Sequence, residues 1–318
     1  MRWYVIRIGR AVLTLLLLVA FTFVTLAASG DAATAKFGPD IDPETLENFR
    51  RKWGLNQPIW KRFLIYLEGV SRLDFGESFR TEQPALDLIV TRLPATLALM
   101  LPTMFFAVGL GVPTGIFAAT HRGQRIDQFT IIIAVMALAI PPFLLGLLLM
   151  FVFSVLLGWL PPSGIVDWRS WIMPSATMAV ATAAVYARFT RSCMVEVASH
   201  PMIETAQASG LPRQVIQRVH ALPNVFIPLI TVTALEFGNV ITYAVVVESV
   251  FSWPGVGRLL IDGVANRDYP VVQAIILLTG STMIIANLLA DIAYGRVDPR
   301  IRDARRPNLR GNSEETPL

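Results

Sequence analysis

The sequence predicts an all-α integral membrane protein with six transmembrane helices. Its 318 residues are 54% hydrophobic and only 16% charged, whereas soluble domains carry about 25% charged residues. About 20 apolar residues are needed for a helix to cross a bilayer. Long stretches without Asp, Glu, Lys or Arg recur at 11–30, 93–120, 128–166, 170–187, 219–235 and 269–290.

The arginines predict the orientation of these spans. Short loops on the cytoplasmic side of a membrane protein are enriched in Lys and Arg. The short loops on the opposite side hold only Arg169, Arg258 and Arg267. Both termini are therefore predicted to be cytoplasmic. The net charge of +4 comes with an excess of arginines on the cytoplasmic side, where they face anionic lipid, and this distribution argues against a nucleic-acid partner. The predicted cytoplasmic arginines are Arg2, Arg7, Arg10, Arg122, Arg125, Arg188, Arg191, Arg213, Arg218, Arg296, Arg300, Arg302, Arg305, Arg306 and Arg310.

Two residue types limit the chemistry of the chain. Cys193 is the only cysteine, so no intrachain disulfide can form. None of the three lysines, Lys36, Lys52 and Lys61, stands in the Gly-Lys-Ser/Thr sequence of a phosphate-binding loop. If ATP drives this protein, another chain must bind it. We expect no catalytic residue, metal or cofactor in this chain.

The first span is predicted over 2–28. A cleaved signal peptide is the alternative, but five further spans need an orienting first helix, which favours a retained anchor. A long extracytoplasmic segment follows to Arg92. Apolar residues at helical spacing predict short helices over 43–53 and 58–69, lying on the membrane surface or on the other spans.

The remaining five spans follow in order. The second is predicted to begin at Arg92, and Pro141 and Pro142 must kink or interrupt the third. The fourth covers about 171–186, with Arg188 and Arg191 at its inner end. The fifth covers about 225–247, a short amphipathic helix to about 265 follows it, and the sixth covers about 270–293. We predict three regions: 1–92, a core at 93–298 and a disordered cytoplasmic tail at 299–318.

The fifth span contains an acidic residue, Glu236, close to Asn239 and Tyr243. A carboxylate deep in a membrane is costly and usually faces a cavity or a partner. Two interpretations stay open. Glu236, Asn239 and Tyr243 line a translocation path, or Glu236 makes a hydrogen bond that packs two helices together.

A polar segment at 196–224 separates the fourth and fifth spans. Pro201 and Pro212 suit the first turns of two helices, and Gly210 suits the left-handed position that ends a helix. The pattern predicts a short helix at about 202–209, a turn at Gly210 and a second helix from Pro212 to about Ala221.

This segment resembles the cytoplasmic coupling loop of permease subunits of bacterial ATP-binding-cassette (ABC) importers. The family pattern is Glu-Ala-Ala, three residues, Gly, nine residues, an apolar residue, one residue and Leu-Pro. Thr205 and His220 depart from it. The residues at the pattern's positions are Glu204, Thr205, Ala206, Gly210, His220, Leu222 and Pro223.

Further phrases resemble one subfamily, the dipeptide, oligopeptide and nickel permeases of the first-subunit type. They lie at 54–67, 73–79, 92–99, 139–149, 158–164, 248–260 and 294–302. The resemblance implies the type I (MetI-like) transmembrane fold, with 93–298 as its five-helix core and 196–224 as its coupling loop. It also implies a place in the bacterial inner membrane.

The resemblance implies partners as well. They are a second homologous permease, two ATPase subunits that bind ATP and Mg, and an extracytoplasmic solute-binding protein. It further implies that the turn after the fifth span closes the outer end of the pathway or meets the binding protein, with a purely structural cap as the alternative. The residues concerned are Glu248, Phe251, Pro254, Gly255 and Gly257.

The predicted function is the permease of an ATP-driven importer for di- or oligopeptides. Nickel or another small solute of the same subfamily is the alternative substrate. Two other classes are less favoured. An ion-coupled transporter using Glu236 lacks support because no internal repeat is visible. A membrane enzyme would need a constellation of reactive groups at membrane depth, but His121, His200 and His220 are all predicted to be cytoplasmic.

Overall fold

The structure, a computed structural model, describes residues 2–37 and 41–297. These residues form helices joined by turns and by two longer loops at 72–84 and 157–167. Their only β pairing is an isolated bridge between Glu77 and Pro84. The predicted all-α membrane fold is therefore confirmed. In chain order the α-helices are α1 Arg2–Ala28, α2 Ala32–Phe37, α3 Pro43–Lys52, α4 Ile59–Ser71, α5 Ala85–Thr120, α6 Arg125–Ala139, α7 Pro142–Leu149, α8 Ile172–Ala198, α9 Pro201–Ala208, α10 Arg213–Val215, α11 Leu222–Val250, α12 Val256–Ala265 and α13 Tyr269–Val297.

Each of the six predicted spans is helical, although not all are equally apolar. Within the described part of the chain, α1, α5, α11 and α13 are long and apolar enough to cross a membrane. A fifth span forms if α6 and α7, with the π-helix Met150–Leu156 that continues α7, count as one broken helix. The remaining predicted span, the fourth, is α8, which is 27 residues long but rich in Ala and Thr. Length and composition thus support five crossings, and α8 is long enough to be one more.

The third span is interrupted where two prolines meet, as predicted. The axes of its two halves differ by 96°. Ile140 ends α6 in an extended conformation, with φ −83° and ψ 117°, because the ring of Pro141 disfavours helical geometry in the residue before it. Pro142 then occupies the first turn of α7, where its missing N–H costs nothing.

The core is built around close packing of α5 against α8. At Gly111 an added Cβ would lie 2.5 Å from the Ala183 carbonyl oxygen and 2.6 Å from the Tyr186 Cβ. At Gly115 it would lie 2.7 Å from the Thr190 Cβ. Small residues at such points let two helix backbones approach each other within a membrane.

Two helices extend beyond the limits of the spans that the sequence predicts. The second span begins at Ala85, not at Arg92, so the predicted limit of the first region at 92 lies inside α5. The fourth span continues past Arg188 and Arg191 to Ala198. Charged side chains end the part of a helix that is compatible with lipid, but the backbone hydrogen bonds continue into water. The predicted tail at 299–318 lies outside the described residues.

The extracytoplasmic segment forms a small packed unit on the outer ends of α1 and α13. The predicted helices at 43–53 and 58–69 are confirmed as α3 and α4, whereas α2 was not predicted. Asp268, buried just before α13, accepts hydrogen bonds from the Ser78 hydroxyl and the Phe79 N–H. Five aromatic rings pack beneath these contacts: Phe37, Phe49, Trp53, Phe79 and Tyr269.

Candidate functional site

The cytoplasmic loop between α8 and α11 is a helical hairpin with a defined turn. Gly210 has φ +76°, in the left-handed region. Its N–H donates to the Gln207 carbonyl at 3.0 Å, and the Leu211 N–H donates to the Ala206 carbonyl at 3.3 Å. This pair of bonds is a Schellman motif, which closes the last turn of α9. The predicted turn at Gly210 is confirmed, and the spacing from Ala206 to Gly210 is the spacing that the motif requires.

The two faces of α9 have different environments. Ile203 and Ala206 are buried, at 3% and 7% exposure, in a cluster that includes Met194 on α8. Glu204 and Thr205 are exposed. The outward position of Thr205, whose hydroxyl donates to the Pro201 carbonyl at 2.9 Å, admits a side chain larger than alanine, whereas Ala206 has little room for one.

The second helix of the hairpin does not end near Ala221 as predicted. It widens into a π-helix at Ile216–Ala221 and runs without interruption into α11. Pro223 cannot donate to the carbonyl one turn before it, and a π-type turn accommodates that loss. Leu222 packs on the same core cluster as α9, and the half-buried His220 offers its carbonyl to the Asn224 amide at 2.7 Å. The second helix of the hairpin and α11 are therefore one continuous element.

An ion pair beside this hairpin was missed by the sequence analysis. Asp127, at the start of α6, is 3% exposed. It accepts from the Arg191 Nε at 2.5 Å and Nη2 at 2.8 Å, and also from the Gly123 N–H at 3.0 Å. The sequence feature that could have indicated this pair is an acidic and a basic residue at the inner ends of two different spans. The pair fastens the loop between α5 and α6 to α8, close to where α8 enters the hairpin.

The predicted path residues lie on α11, and the structure brings two of them into contact. The Asn239 amide donates to Glu236 Oε1 at 3.0 Å. Glu236 is only 6% exposed, and its Oε2 has no hydrogen-bond partner among the residues that the structure describes. Tyr243 lies two turns further along α11 and is half-buried. Glu236 therefore holds one satisfied and one unsatisfied acceptor at mid-helix.

At the outer end of α11, Glu248 is fully buried and organises the turn that follows. Its Oε1 accepts from the Thr96 hydroxyl on α5 at 2.7 Å, and its carboxylate accepts from the N–H groups of Gly257 and Arg258, the latter at 3.1 Å. The Thr96 hydroxyl in turn accepts from the Val256 N–H at 2.9 Å. The first N–H groups of α12, which no helix can satisfy internally, are thus bound by Glu248 and Thr96.

The glycines of this turn leave room for the buried carboxylate. An added Cβ at Gly255 would overlap the Glu248 carboxyl group, and one at Gly257 would overlap the backbone of Val245. Phe251, 2% exposed, packs against Gly146 of α7. Pro254, half-buried, stands between the two parts of this turn.

Two further residues that hold this turn, Thr96 and Trp253, were not predicted from the sequence. The Trp253 Nε1 donates to the Ala95 carbonyl at 2.8 Å, and its ring is fully buried. The sequence feature that could have indicated Thr96 is its position as a polar residue within an apolar stretch.

No metal centre is apparent in the described ranges 2–37 and 41–297. They contain no group of three or more His, Cys, Asp or Glu side chains placed to hold a metal ion.

Comparison with known proteins identifies the family. The model of the binding-protein-dependent transport system inner membrane component matches residues 111–303, and the model of the N-terminal part of such membrane components matches residues 1–100. The chain is 42% identical over 282 residues to the glutathione transport system permease protein GsiC of Escherichia coli (strain K12), covering 89% of this chain and 92% of that protein. The GsiC protein of Shigella dysenteriae serotype 1 (strain Sd197) matches with the same identity and coverage.

Solved structures support the same fold. Two crystal forms of the methionine ABC transporter MetNI in inward-facing conformations match with TM-scores of 0.50 and 0.52, at 20% and 19% identity. The alignments cover 70% and 69% of this chain and 98% and 97% of those chains. Sequence and fold together show that the chain belongs to the inner membrane components of binding-protein-dependent transport systems, and that it is a multi-pass permease subunit of an ABC importer.

Proposed function

We propose that this permease imports small peptides, with di- and oligopeptides as the substrate class. The observation that carries the proposal is the 42% identity, over 89% of the chain, to permeases of glutathione transport. Glutathione is itself a small peptide. The alternative, nickel or another small solute, rests on the resemblance to a subfamily that also contains nickel permeases.

We propose that the working complex contains one copy of this chain, a second homologous permease, two ATPase subunits and an extracytoplasmic binding protein. In this arrangement the chain is not an enzyme, because ATP and Mg bind to the ATPase subunits. ATP closes the ATPase pair, the cytoplasmic hairpins move with it, and the two permeases tilt from inward-open to outward-open. The substrate then passes from the binding protein into the membrane path.

The hairpin is the proposed contact with the ATPases. Glu204 and Thr205 lie on its exposed face, and Gly210 makes the turn that sets its shape. Ala206 packs the short helix against the membrane core. His220, Leu222 and Pro223 lie where the hairpin becomes α11. Because π-helix and α11 are continuous, a displacement of the hairpin would be carried along α11 toward Glu236 and Glu248.

Glu236, Asn239 and Tyr243 are the proposed lining of the path. The unsatisfied Oε2 of Glu236 supports this role, since a buried acceptor without a partner is costly unless a ligand or water reaches it in some state of the cycle. A carboxylate also suits the ammonium group of a peptide. The competing role, packing of α11 through a hydrogen bond, is supported only by the bond to Asn239, a residue of the same helix.

Glu248, Phe251, Pro254, Gly255 and Gly257 form the proposed outer gate or binding-protein contact. Their buried network ties the end of α11 to α5 and α12. We propose that these three helix ends move as one unit when the path opens outward. A purely structural cap would use the same bonds without that movement.

The test is purification of the assembled complex. The chain is expressed with the genes that neighbour it, tagged and purified in detergent, and ATP hydrolysis is measured with the binding protein and a panel of dipeptides, longer peptides, glutathione and nickel. We expect two ATPases and a second permease to co-purify, with peptides stimulating ATP hydrolysis. Stimulation by nickel alone would overturn the peptide proposal. Elution without the ATPases would overturn the assembly.

A further inference from the structure

Helix α4, in the extracytoplasmic segment, has one side packed against the protein. Phe63, Tyr66 and Val70 join a buried cluster together with Val19 of α1. The ring centroid of Phe23, also on α1, lies 5.1 Å from that of Phe63 and 5.6 Å from that of Tyr66. These contacts fix α4 against the outer end of the first span.

The position of Phe23 along α1 gives the depth of α4. Phe23 belongs to the apolar span Arg7–Ala28 and precedes its end by five residues. At 1.5 Å per residue this is about 8 Å of helix. Helix α4 therefore lies beside the outermost turns of a membrane-crossing helix, at the level of the outer leaflet, and not above the membrane in water.

One flank of α4 faces the extracytoplasmic unit. Arg62, Ile65 and Gly69 border a cavity of about 290 Å³, whose other walls include Trp53 and Leu55 just after α3. This flank therefore points toward the part of the chain that lies outside the membrane.

The opposite flank is apolar. Within the part of the chain that the structure describes, its side chains belong to none of the hydrophobic core clusters. Trp60, Leu64 and Leu67 are 63%, 55% and 36% exposed, and their spacing places them on one side of a helix. Between the two flanks lies a charged ridge that contains Lys61 and the exposed Glu68–Arg72 ion pair, at 2.7 Å. An apolar flank below a charged ridge is typical of a helix that lies in a membrane interface.

Helix α1, against which α4 packs, also carries an exposed apolar face. On α1, Leu17, Phe21 and Val24 are 61%, 68% and 62% exposed. As α1 crosses the membrane, these side chains meet acyl chains, with Val24 at the same level as α4. Trp is enriched at the membrane–water boundary, where its ring is partly apolar and its N–H remains hydrated.

We propose that α4 is an in-plane membrane anchor. Trp60, Leu64 and Leu67 insert into the outer leaflet beside α1, while Lys61 and Arg72 lie among the lipid phosphates. The occupant of this surface is phospholipid. The anchor fixes the height of the extracytoplasmic unit over the bilayer, a role that goes beyond transport itself and does not depend on which substrate the importer carries.

Depth-dependent quenching tests the anchor in the assembled transporter. The background is Cys193→Ser, into which Leu64→Cys or Trp60→Cys is introduced, with Glu68→Cys as the control on the charged ridge. Each thiol is labelled with an environment-sensitive fluorophore, and the complex is reconstituted in phosphatidylcholine–phosphatidylglycerol vesicles that contain lipid nitroxide-labelled near the headgroup or deep in the chain. ATP hydrolysis by each labelled complex verifies that it is assembled.

We expect the lipid nitroxides to quench the probes at positions 64 and 60, and aqueous iodide to quench those two probes several-fold less than the probe at 68. Equal iodide quenching at 64 and 68, with no lipid quenching, would show that the flank faces water and would overturn the proposal. Protection of position 64 from both lipid and iodide would assign the flank to a protein partner, which also overturns it. Leu67→Cys replaces any variant that fails to assemble.

Discussion

The Thr96 hydroxyl connects the Glu248 carboxylate to the first turn of α12. It donates to Glu248 Oε1 at 2.7 Å and accepts from the Val256 N–H at 2.9 Å. Thr96 is 6% exposed and Glu248 is fully buried, so water cannot readily replace either bond. Helix α5 therefore meets α11 and α12, which lie far from it in the sequence, at one hydroxyl group.

Replacing Thr96 with Val should destabilise the permease while preserving its shape. The change leaves a buried carboxylate oxygen and a buried N–H without their partners, which costs about 1–3 kcal/mol for each group. Thr96→Ser keeps the hydroxyl and is the matched control. Thermal unfolding of the purified complex measures the difference, and equal midpoints for the two variants would contradict the role assigned to this hydrogen bond.

Replacing Gly111 with Ala should also be destabilising, because the new methyl group would collide with the Ala183 carbonyl of α8. Overpacking of this kind typically costs about 1–3 kcal/mol. Gly109→Ala, two residues away on the same helix, is the control, since nothing lies within 4 Å of its added Cβ. We expect a lower thermal midpoint for the Gly111 variant alone. A similar loss for both would attribute the effect to α5 itself rather than to its contact with α8.

The ion pair of Asp127 with Arg191 should contribute more to stability than an exposed pair does. Arg191→Ala leaves Asp127, 3% exposed, without its bidentate partner. We expect a loss of about 1–3 kcal/mol in the free energy of unfolding. The control is Lys52→Ala, which breaks an exposed pair with Glu82 in the extracytoplasmic unit, and which should change little. Denaturation of the two variants under one set of conditions compares them, and equal losses would refute the distinction.

Replacing Gly210 with Val should uncouple ATP hydrolysis from the binding protein while the chain still reaches the membrane. A side chain at φ +76° is strained, by roughly 1–2 kcal/mol or more for a β-branched residue. The strain would therefore alter the hairpin turn. Ligand-stimulated ATP hydrolysis in vesicles is the readout, with membrane abundance measured by immunoblot.

Two controls accompany the Gly210 variant. Gly210→Asn should retain stimulation, because Asn tolerates the left-handed region. Gly123→Val imposes comparable strain, at φ +80° with open space around it, in the other short cytoplasmic loop. Normal stimulation in Gly210→Val would remove the turn from the coupling mechanism, and loss of stimulation in Gly123→Val as well would make the effect nonspecific.

Replacing Glu236 with Gln tests the proposed path. Gln keeps the shape and the acceptor for Asn239 but removes the negative charge. If the carboxylate meets the ammonium group of a peptide, uptake by reconstituted vesicles should fall several-fold with an unchanged thermal midpoint. A lowered midpoint with normal uptake per folded complex would instead assign Glu236 to packing. Asn239→Ala serves as a reference for the loss of the hydrogen bond alone.

Much of the fold follows from properties that a sequence displays directly. Apolar stretches, Pro141 and Pro142, and the glycine at 210 each act through local chemistry: transfer into lipid, a fixed φ angle, and freedom from a Cβ clash. The first span, the break in the third span and the hairpin turn were accordingly predicted correctly. The resemblance of Glu204 to Pro223 to a coupling loop also led to the right family.

What the sequence could not determine were the contacts between distant segments. The burial of Asp127 with Arg191, the position of Thr96 beneath α12 and the opposite exposures of Thr205 and Ala206 all depend on how the helices pack. Helices α5 and α8 extend beyond the predicted spans for a related reason, since a helix continues wherever backbone hydrogen bonds and neighbouring elements support it, whatever the local charge. The sequence by itself determined the membrane class, the family and the local turns, because these depend on composition and short-range geometry. Only the tertiary structure decided which polar groups are buried together, because partner choice across α5, α8 and α11 depends on packing in three dimensions.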